Sequence, residues 1–493
     1  MSQNNRISVT AVTQLKTQIT PAFRTRLLYC ALVFLAVIAP PFLFFFDSPF
    51  VIVDRQKPLA GMVKIFLTTG ALAFSIIALC ELRKLRGKSV KEYIPIVIAL
   101  LVLSNIFYHI NVFPQKNFDY ECYEQAAQSI VDGGNPYASE SRPYLYPPLL
   151  AQLLAGAYSF AGSAFPQFLP TEYGEEVLWD IVFYLYLCAQ FIAVLWAYFL
   201  CSKFLRMSGL NDIYASAITG TVLLFNTPLV QTIRLSQLNM WVLDLILLAI
   251  IYRDQSPVVR AIAIAIGAHL KLYTLFLLFP SILRRQFGQV LLAIFFIAVI
   301  LLLQTNFSSR PEIWFQYIDL VKSTGAHYTA SGVGIYSILH YTLTAIFSTG
   351  KLNSGAFGMT FNIIIYLLTA LILAWFVIRF IKREKSIRDE EDAVIEGRVV
   401  KAKYLKLVGH DMDAIIMALL LSGFIWHHHL VLAIPVLLWA YLTSAGRRRN
   451  IVYVLAFIIL CLPPMYILPL KYLQIIAVAA LAYSCDFRYV PKS

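Results

Sequence analysis

Charged residues are what this sequence has least of. They make up 14% of its 493 residues, whereas hydrophobic residues make up 59%. A soluble protein of this length could not bury so much apolar surface, so the composition predicts a polytopic membrane protein. The net charge of +13 does not indicate nucleic-acid binding. The Lys and Arg residues cluster in short connectors between apolar runs, a pattern that sets membrane topology.

Several other features are scarce. No long run alternates polar and apolar residues, which argues against an outer-membrane barrel. The seven Cys form no CxxC motif, so we expect neither a disulfide framework nor a metal cluster. The first apolar run starts near Leu27 and has no small-residue cleavage site after it, which predicts a retained helix. The sequence contains no internal repeat, whereas many transporters are built from such repeats.

The sequence does contain many apolar runs that approach the roughly 20 residues needed to cross a bilayer. A path of about 14 crossings keeps every strongly basic connector in the cytoplasm. We therefore predict an all-α bundle of about 14 transmembrane helices, with outer-face loops and interfacial helices. Its predicted parts are a cytoplasmic N-terminal segment (1–26) and a transmembrane domain (27–493), with outer loops at 114–176 and 305–358 and a charged cytoplasmic loop at 382–410.

Three apolar runs carry more specific predictions. Leu149–Phe165 is short, interrupted by glycines and followed by prolines, so we expect a helix on or partly in the outer membrane face. Ile213–Val230 is expected to cross as one helix. Val258–Leu283 has His269 and Lys271 at its centre, and we expect two short helices that meet near the outer half.

The longest polar stretch in the first half of the chain, Phe118–Pro148, lies between apolar runs and should occupy one membrane face. Its first acid is Asp119, at the expected membrane boundary. Asp119 could be the N-cap of an amphipathic helix, because Asp is a preferred capping residue. It could instead be a general base that deprotonates an acceptor hydroxyl. Glu121 and Glu124 are nearby rivals for that role.

Ionisable residues within apolar runs form a second group: Asp244, His269 and Lys271. Buried charge in a membrane is costly and usually faces a cavity or a partner. One interpretation is a structural pair of Asp244 with Lys271 or His269. The other is that Lys271 binds an anion such as a lipid phosphate.

Further candidates lie at the ends of apolar runs. Arg234, Gln237 and Asn239 occupy the outer turn RLSQLN, where they could bind phosphate or sugar hydroxyls or could be snorkelling interface residues. The tract His427–His429 follows a Trp at an outer helix end. Three adjacent His do not share one helix face, so they predict no metal site, although one or two could donate to an anion from a cavity.

Two other motifs have plain structural interpretations. The tract Asn135–Pro148 is rich in Tyr and Pro, including Tyr137 and Tyr146. It could be a rigid connector at the headgroup level or an aromatic wall for a sugar ring. Asp411–Asp413 reads DMD, which matches the Asp-x-Asp pattern of nucleotide-sugar sites. Its expected place is the cytoplasmic start of a span, where acids favour a helix N-terminus.

Four motifs in order resemble the GT-C glycosyltransferases, and among them family GT87, the polyprenyl-phosphate-mannose-type transferases. The four motifs are FDYECYEQAAQSIVDGGNPY followed by YLYPPLLAQLL, then RLSQLNMWVLDLILLAII, then AIAIAIGAHLKLYTLFLLFPSILRRQ, and last FIWHHHLVLAIPVLL. They cover roughly Phe118 to Leu438. The chain departs from the family pattern in that two spans precede the one leading to the first loop, and Leu-Tyr-Thr follows the Lys where Pro is common.

The resemblance implies a GT-C-like fold and a role for each site residue. Asp119 would be the general base, and the loop at 114–176 would be catalytic. Lys271, Arg234 and His428 or His429 would stabilise the leaving lipid phosphate. Gln237, Asn239, Tyr137 and Tyr146 would contact the donor or the acceptor. Because the sugar is already activated on a lipid phosphate, no nucleotide, metal or other cofactor would be needed, and the DMD motif would have no catalytic part.

We therefore expect an integral membrane glycosyltransferase that moves a sugar, mannose or a pentose, from a polyprenyl phosphate to a lipid or glycan acceptor with inversion. Its expected place is the plasma (inner) membrane, with the active site on the periplasmic or extracellular face. Its partners would be the lipid-linked donor, the acceptor and membrane lipids, and not nucleic acid. The alternative is a transporter or flippase of a lipid-linked sugar, but transporters place their binding groups near the midplane, whereas this chain places them at one face.

Overall fold

A computed structural model describes residues 116–139, 143–166, 172–329, 332–347, 355–391, 398–444, 447–462 and 470–484. All of these belong to one compact unit, Val112–Ser493. The described part of the chain consists of helices and connecting segments and contains no strand, as the sequence predicts. The N-terminal segment 1–26 and the first three predicted spans lie outside the described residues.

The α-helices follow one another with mostly short connections. In chain order they are α1 (Phe118–Val131), α2 (Leu149–Ala164), α3 (Glu172–Met207), α4 (Asp212–Phe225), α5 (Thr227–Arg234), α6 (Asn239–Ile251), α7 (Pro257–Leu270), α8 (Leu278–Leu283), α9 (Phe287–Gln304), α10 (Glu312–Thr329), α11 (Ile335–Phe347), α12 (Gly355–Glu391), α13 (Arg398–Leu421), α14 (Ile434–Thr443), α15 (Arg447–Cys461) and α16 (Leu473–Ser484). Short 3₁₀ helices occur at Leu272–Leu277, His427–Ala433 and Leu470–Tyr472.

In the part of the chain that the structure describes, three helices are long and apolar enough to cross a membrane: most of α3 (Gly174–Met207), all of α9, and Phe357–Arg388 within α12. The rest of the described protein covers little of two of them. In their most apolar stretches 11% of α9 and 17% of α12 is buried, against 61% of α3. Apolar helix surface without a protein partner is stable in lipid and not in water. The chain is therefore a helical membrane protein, while the number of about 14 crossings stays a prediction.

The predictions for two of the apolar runs have different outcomes. The prediction of one helix over Ile213–Val230 is wrong, because α4 ends and α5 begins at Asn226. The side chain of Asn226 accepts a hydrogen bond from the backbone nitrogen of Leu229 at 2.8 Å, and Pro228 lies in the first turn of α5. An Asn cap followed by Pro is a strong signal for a helix start. The prediction of two short helices in Val258–Leu283 is confirmed, since α7 ends at an extended Lys271.

The break at Lys271 depends on a close approach between α7 and the 3₁₀ helix that follows. Gly267 in α7 lies directly against the side chain of Thr274, so that a Cβ at this position would be 2.3 Å from the Thr274 methyl group. The hydroxyl of Thr274 donates to the carbonyl of Ile264 at 2.9 Å. The missing side chain of Gly267 therefore lets the chain fold back tightly, which holds Lys271 at the tip of a helical hairpin.

The DMD motif does not lie at a helix start, and both of its carboxylates form ion pairs. Both carboxylates lie in the interior of α13, which begins at Arg398. Asp411 and Asp413 are buried and paired with arginines from α7, α12 and the turn between α6 and α7. The pairs are Arg253–Asp411 at 3.0 Å, Arg260–Asp411 at 2.9 Å, Arg379–Asp413 at 3.0 Å and Arg383–Asp413 at 2.7 Å. The expected helix-start position is thus corrected: these acids neutralise buried arginines, which a buried carboxylate requires.

The segment predicted as a charged cytoplasmic loop, 382–410, is helical in its described residues. In the described residues α12 continues to Glu391, and α13 starts again at Arg398. Glu384 of α12 accepts from Nε of Arg284 at 3.1 Å and contacts Nε2 of His410 at 2.8 Å. Because the charged side chains pair with one another, these helices can extend well beyond their apolar stretches.

Candidate active site

A cavity of about 320 Å³ lies where α1, the Tyr/Pro tract, the hairpin tip and the His tract meet. Five of the residues singled out from the sequence line it: Asp119, Tyr146, Lys271, His428 and His429. The rest of the lining is mostly apolar, with side chains from the α1 start, the 3₁₀ helix after Lys271, α10 and α13. A mainly apolar pocket with a few convergent polar groups is the usual form of a small-molecule or lipid site.

Asp119 lies in the first turn of α1 but does not cap it. The N-cap is Asn117, whose side-chain oxygen accepts from the backbone nitrogen of Tyr120 at 3.1 Å. The capping interpretation of Asp119 is therefore wrong, and its carboxylate is directed to the cavity and to the side chain of Gln237. Burial raises the pKa of Asp119, while the hydrogen bond from Gln237 and the charge of Lys271 oppose that shift. A raised pKa suits a carboxylate that must accept a proton.

The two rival acids do not line the cavity. Glu124 forms an ion pair with Lys116 at 2.9 Å, and the same ammonium reaches Asp180 of α3 at 3.1 Å. This cluster attaches the start of α1 to α3. Glu121 is in the first turn of α1, where a negative charge favours the helix dipole. Among the three acids at the start of α1, Asp119 is the one that faces the cavity.

Lys271 is 5% exposed and is held by neutral groups. Its Nζ donates to Oδ1 of Asn239 at 2.5 Å and lies 3.1 Å from Nε2 of His429. It also lies over the ring of Tyr146, 4.8 Å from the ring centre, at a distance that is attractive for a cation. These contacts orient the ammonium group without cancelling its charge.

The structural pair expected as an alternative does not form. Among the ion pairs of the described residues, none joins Asp244 to Lys271 or to His269. His269 instead contacts the carbonyl of Ile297 through Nε2 at 3.1 Å, with its ring edge against Trp314. The charge of Lys271 is therefore not used to neutralise Asp244.

The three histidines have different environments. Nδ1 of His427 contacts Oε1 of Gln474 at 2.8 Å, away from the cavity. Nδ1 of His429 lies 3.2 Å from the hydroxyl of Tyr273, and its Nε2 faces Lys271. Nε2 of His428 is buried and has no hydrogen-bond partner in the described structure, and this side chain lines the cavity. His428 thus has a free ring nitrogen that a ligand could satisfy.

The remaining candidates support the cavity from outside or lie apart from it. Gln237 and Asn239 are buried and bond to cavity residues. The hydroxyl of Tyr137 donates to the backbone carbonyl of Tyr146 at 3.1 Å. Tyr137 therefore supports a residue that lines the cavity and does not line it itself. Arg234 is exposed and does not line the cavity, although its backbone carbonyl accepts from the Asn117 side chain. A direct contact of Arg234 with a ligand in this cavity has no support in the geometry.

Sequence reasoning missed two tyrosines of the site. Tyr123 lines the cavity and donates to Gln237 at 3.2 Å. It follows Asp119 by four residues, and that spacing places two side chains on the same helix face. Tyr273 lines the cavity beside His429. It comes two residues after Lys271, at a helix break, where side-chain directions cannot be read from a period.

Comparison with known proteins supports the class that the sequence motifs resemble, the glycosyltransferases. Residues 144–389 match the model of glycosyltransferase family 87. The chain is a GT87-like membrane glycosyltransferase. The match includes Tyr146, Arg234, Gln237, Asn239 and Lys271, whereas the other candidates lie before or after it: Asp119, Tyr137, His428 and His429. No curated protein matches the chain.

Proposed function

We propose that this GT87-like enzyme transfers a sugar, mannose or a pentose, from a polyprenyl-phosphate donor to a hydroxyl of a lipid or glycan acceptor. The observation that carries the proposal is that Asp119 and Lys271 line one cavity. A transfer from a lipid phosphate needs a proton acceptor for the attacking hydroxyl and positive charge for the leaving phosphate. The cavity provides one residue of each kind.

In the proposed reaction the acceptor hydroxyl attacks the anomeric carbon of the sugar while Asp119 takes the hydroxyl proton. The bond between the anomeric carbon and the phosphate oxygen breaks on the opposite face, so the configuration at that carbon inverts. The electron pair leaves with the polyprenyl phosphate. Lys271 and His428 would stabilise the negative charge that develops there, since both side chains line the cavity and Nε2 of His428 has no hydrogen-bond partner among the described residues.

A lipid-linked donor fits the apolar part of the lining. Leu272, Phe276, Leu421 and Phe424 form much of the wall near Lys271. A nucleotide sugar is usually held through a metal ion that acids bind, and the two aspartates of the DMD motif already pair with arginines. We place the cavity on the periplasmic or extracellular side of the inner membrane, because the basic connectors should face the cytoplasm.

The test is transfer of labelled mannose from polyprenyl-phosphate mannose to lipids extracted from a strain that lacks the enzyme. Asp119→Asn keeps the size of the side chain and removes its basicity. We expect it to fold, to bind the donor and to transfer about 10²–10⁴-fold more slowly. Glu121→Gln, a matched change in the same helix turn, should transfer like the wild type. Normal transfer by Asp119→Asn would refute the role of Asp119, and donor translocation without transfer by the wild type would favour a flippase.

A further inference from the structure

The side chain of Asn239 joins two parts of the site that lie far apart in the chain. Asn239 is the first residue of α6 and is fully buried. Its Nδ2 donates to the backbone carbonyl of His428 at 3.2 Å, and its Oδ1 accepts from Nζ of Lys271 at 2.5 Å. Neither bond is made to its own helix, so this amide connects the tip of the helical hairpin with the His tract.

The orientation of the amide is fixed by its two partners. A backbone carbonyl can only accept a hydrogen bond, and an ammonium group can only donate one. A reversed amide would place its oxygen against the carbonyl oxygen of His428 and its nitrogen against Nζ of Lys271, and both contacts would be repulsive. Asn239 therefore offers Lys271 a hydrogen-bond acceptor in one defined place, and this acceptor carries no charge.

The backbone of His428 is a firm attachment for this amide. Its carbonyl also accepts from the hydroxyl of Thr232 in α5 at 2.9 Å, and Thr232 is fully buried. Lys271, in contrast, follows the last residue of α7 with an extended backbone, and its flexible four-carbon stem must be ordered before the ammonium group has a fixed place. Loss of the Asn239 amide would leave the carbonyl with Thr232 and would remove the shortest contact of Lys271, so its effect should fall on the lysine.

We propose that Asn239 is a positioning residue for binding of the donor phosphate: it holds the ammonium group of Lys271 at the cavity and does not contact the ligand itself. The inference rests on the proposed role of Lys271. It replaces the expectation that Asn239 contacts the donor or acceptor, since Asn239 does not line the cavity and both ends of its amide bond to protein groups. Because the amide is neutral, it orients the ammonium group and leaves its charge for the phosphate.

A double-mutant cycle tests the proposal. Wild type, Asn239→Leu, Lys271→Met and the double variant are titrated in detergent with polyprenyl phosphate, which is the donor without its sugar. Tryptophan emission follows binding, because Trp426 lines the cavity. Leu has the same branched shape as Asn and forms no hydrogen bond. We expect Asn239→Leu to raise the Kd about tenfold, the value of one hydrogen bond to a charged group. When Lys271→Met is already present, the further change should be less than about twofold.

Two controls separate positioning from a general loss of structure. Polyprenol, which has the same tail and no phosphate, should bind all members of the cycle with affinities that agree within about twofold, because its binding depends on apolar surface alone. Thr232→Val removes the other hydrogen bond to the His428 carbonyl and leaves Lys271 with its described partners. It should melt earlier, with a Kd for polyprenyl phosphate within about twofold of the wild type. If Asn239→Leu does not accumulate, Asn239→Ala, which removes the same two bonds, replaces it in the cycle.

The possible outcomes separate this inference from the proposed function. A loss of affinity that persists in the Lys271→Met background would mean that Asn239 acts on the ligand without the lysine. An unchanged Kd with early melting of Asn239→Leu would mean a structural role only. Either result overturns the inference while Lys271 keeps its role. A wild-type Kd in Lys271→Met would overturn both the inference and the phosphate role of the lysine. Normal transfer by Asp119→Asn concerns the proposed base alone, because binding of polyprenyl phosphate involves no proton transfer.

Discussion

The ammonium of Lys271 donates to the side-chain oxygen of Asn239 at 2.5 Å, and this neutral amide is its shortest contact. Its other described partners, His429 and the ring of Tyr146, are not acids. At the other polar centre of the protein Arg260 meets Asp411 directly. The contrast separates two kinds of buried cation: a structural one, neutralised within the fold, and one whose charge is oriented toward a cavity.

This difference predicts opposite outcomes for two matched substitutions. Lys271→Met breaks no ion pair of the described residues but leaves Oδ1 of Asn239 without its donor, so we expect a modest loss of stability, about 1–3 kcal/mol. Donor KM should rise about 10- to 150-fold, the value of a lost charged hydrogen bond. Arg260→Met removes a partner of Asp411 and should destabilise the protein by about 3–5 kcal/mol. Thermal unfolding in detergent and donor titration measure both effects. Early melting of Lys271→Met with normal donor KM would contradict the assignment.

The sequence predicts much of the site because its chemistry stands out against an apolar background. Asp119, Lys271 and His428 are far apart in the chain, yet each is a polar exception at the end or break of a helical run. Charged groups are expensive in such surroundings, so they collect around a shared cavity. The break at Lys271 could be predicted because a lysine at the middle of a bilayer span is costly.

The features of the site that could not be predicted depend on contacts between distant residues, which no local sequence pattern specifies. Tyr146 meets Gln237 across 91 residues of chain, and the amide could equally have faced a ligand. The DMD motif looks like a nucleotide-sugar site until Arg253 and Arg260 are seen to occupy Asp411. Arg234 and Gln237 lie in one turn, but a turn sends neighbouring side chains in different directions, and here one is exposed while the other is buried.

The hairpin that presents Lys271 should be sensitive to one methyl group. Gly267→Ala places a Cβ 2.3 Å from the Thr274 methyl. Such overpacking costs about 1–3 kcal/mol and should displace Lys271, so we expect lower stability and weaker donor binding together. Gly156→Ala is the matched control. Gly156 lies in α2 with open space around it, and Ala is favoured there by about 1 kcal/mol. Equal behaviour of the two variants would contradict the packing argument.

The proposed topology predicts where two exposed cations lie. Arg234 at the end of α5 belongs to the cavity side, and Lys385 in the charged part of α12 belongs to the cytoplasmic side. In a variant whose native cysteines have been replaced, Arg234→Cys should react with an impermeant maleimide in intact cells. Lys385→Cys should react only after permeabilisation. Labelling of Lys385→Cys from outside would reverse the proposed orientation of the cavity.

The His tract allows the sharpest comparison, because neighbouring rings have different tasks. His428→Phe keeps a ring against Trp426 and removes a buried nitrogen that has no partner in the described structure. Stability should therefore be maintained or improved, while transfer falls about 10- to 150-fold through loss of a hydrogen bond to a charged phosphate.

His427→Phe makes the same chemical change one residue earlier. His427 contacts Gln474 at 2.8 Å and does not line the cavity. Its loss leaves the Gln474 oxygen without this partner and should cost about 1–3 kcal/mol of stability, with transfer per folded molecule near normal. Melting temperatures and transfer rates of the two variants, measured on the same preparations, show which histidine acts in transfer and which stabilises the fold. A stable His428→Phe variant with full activity would exclude His428 from phosphate stabilisation and leave Lys271 as the cation that acts there.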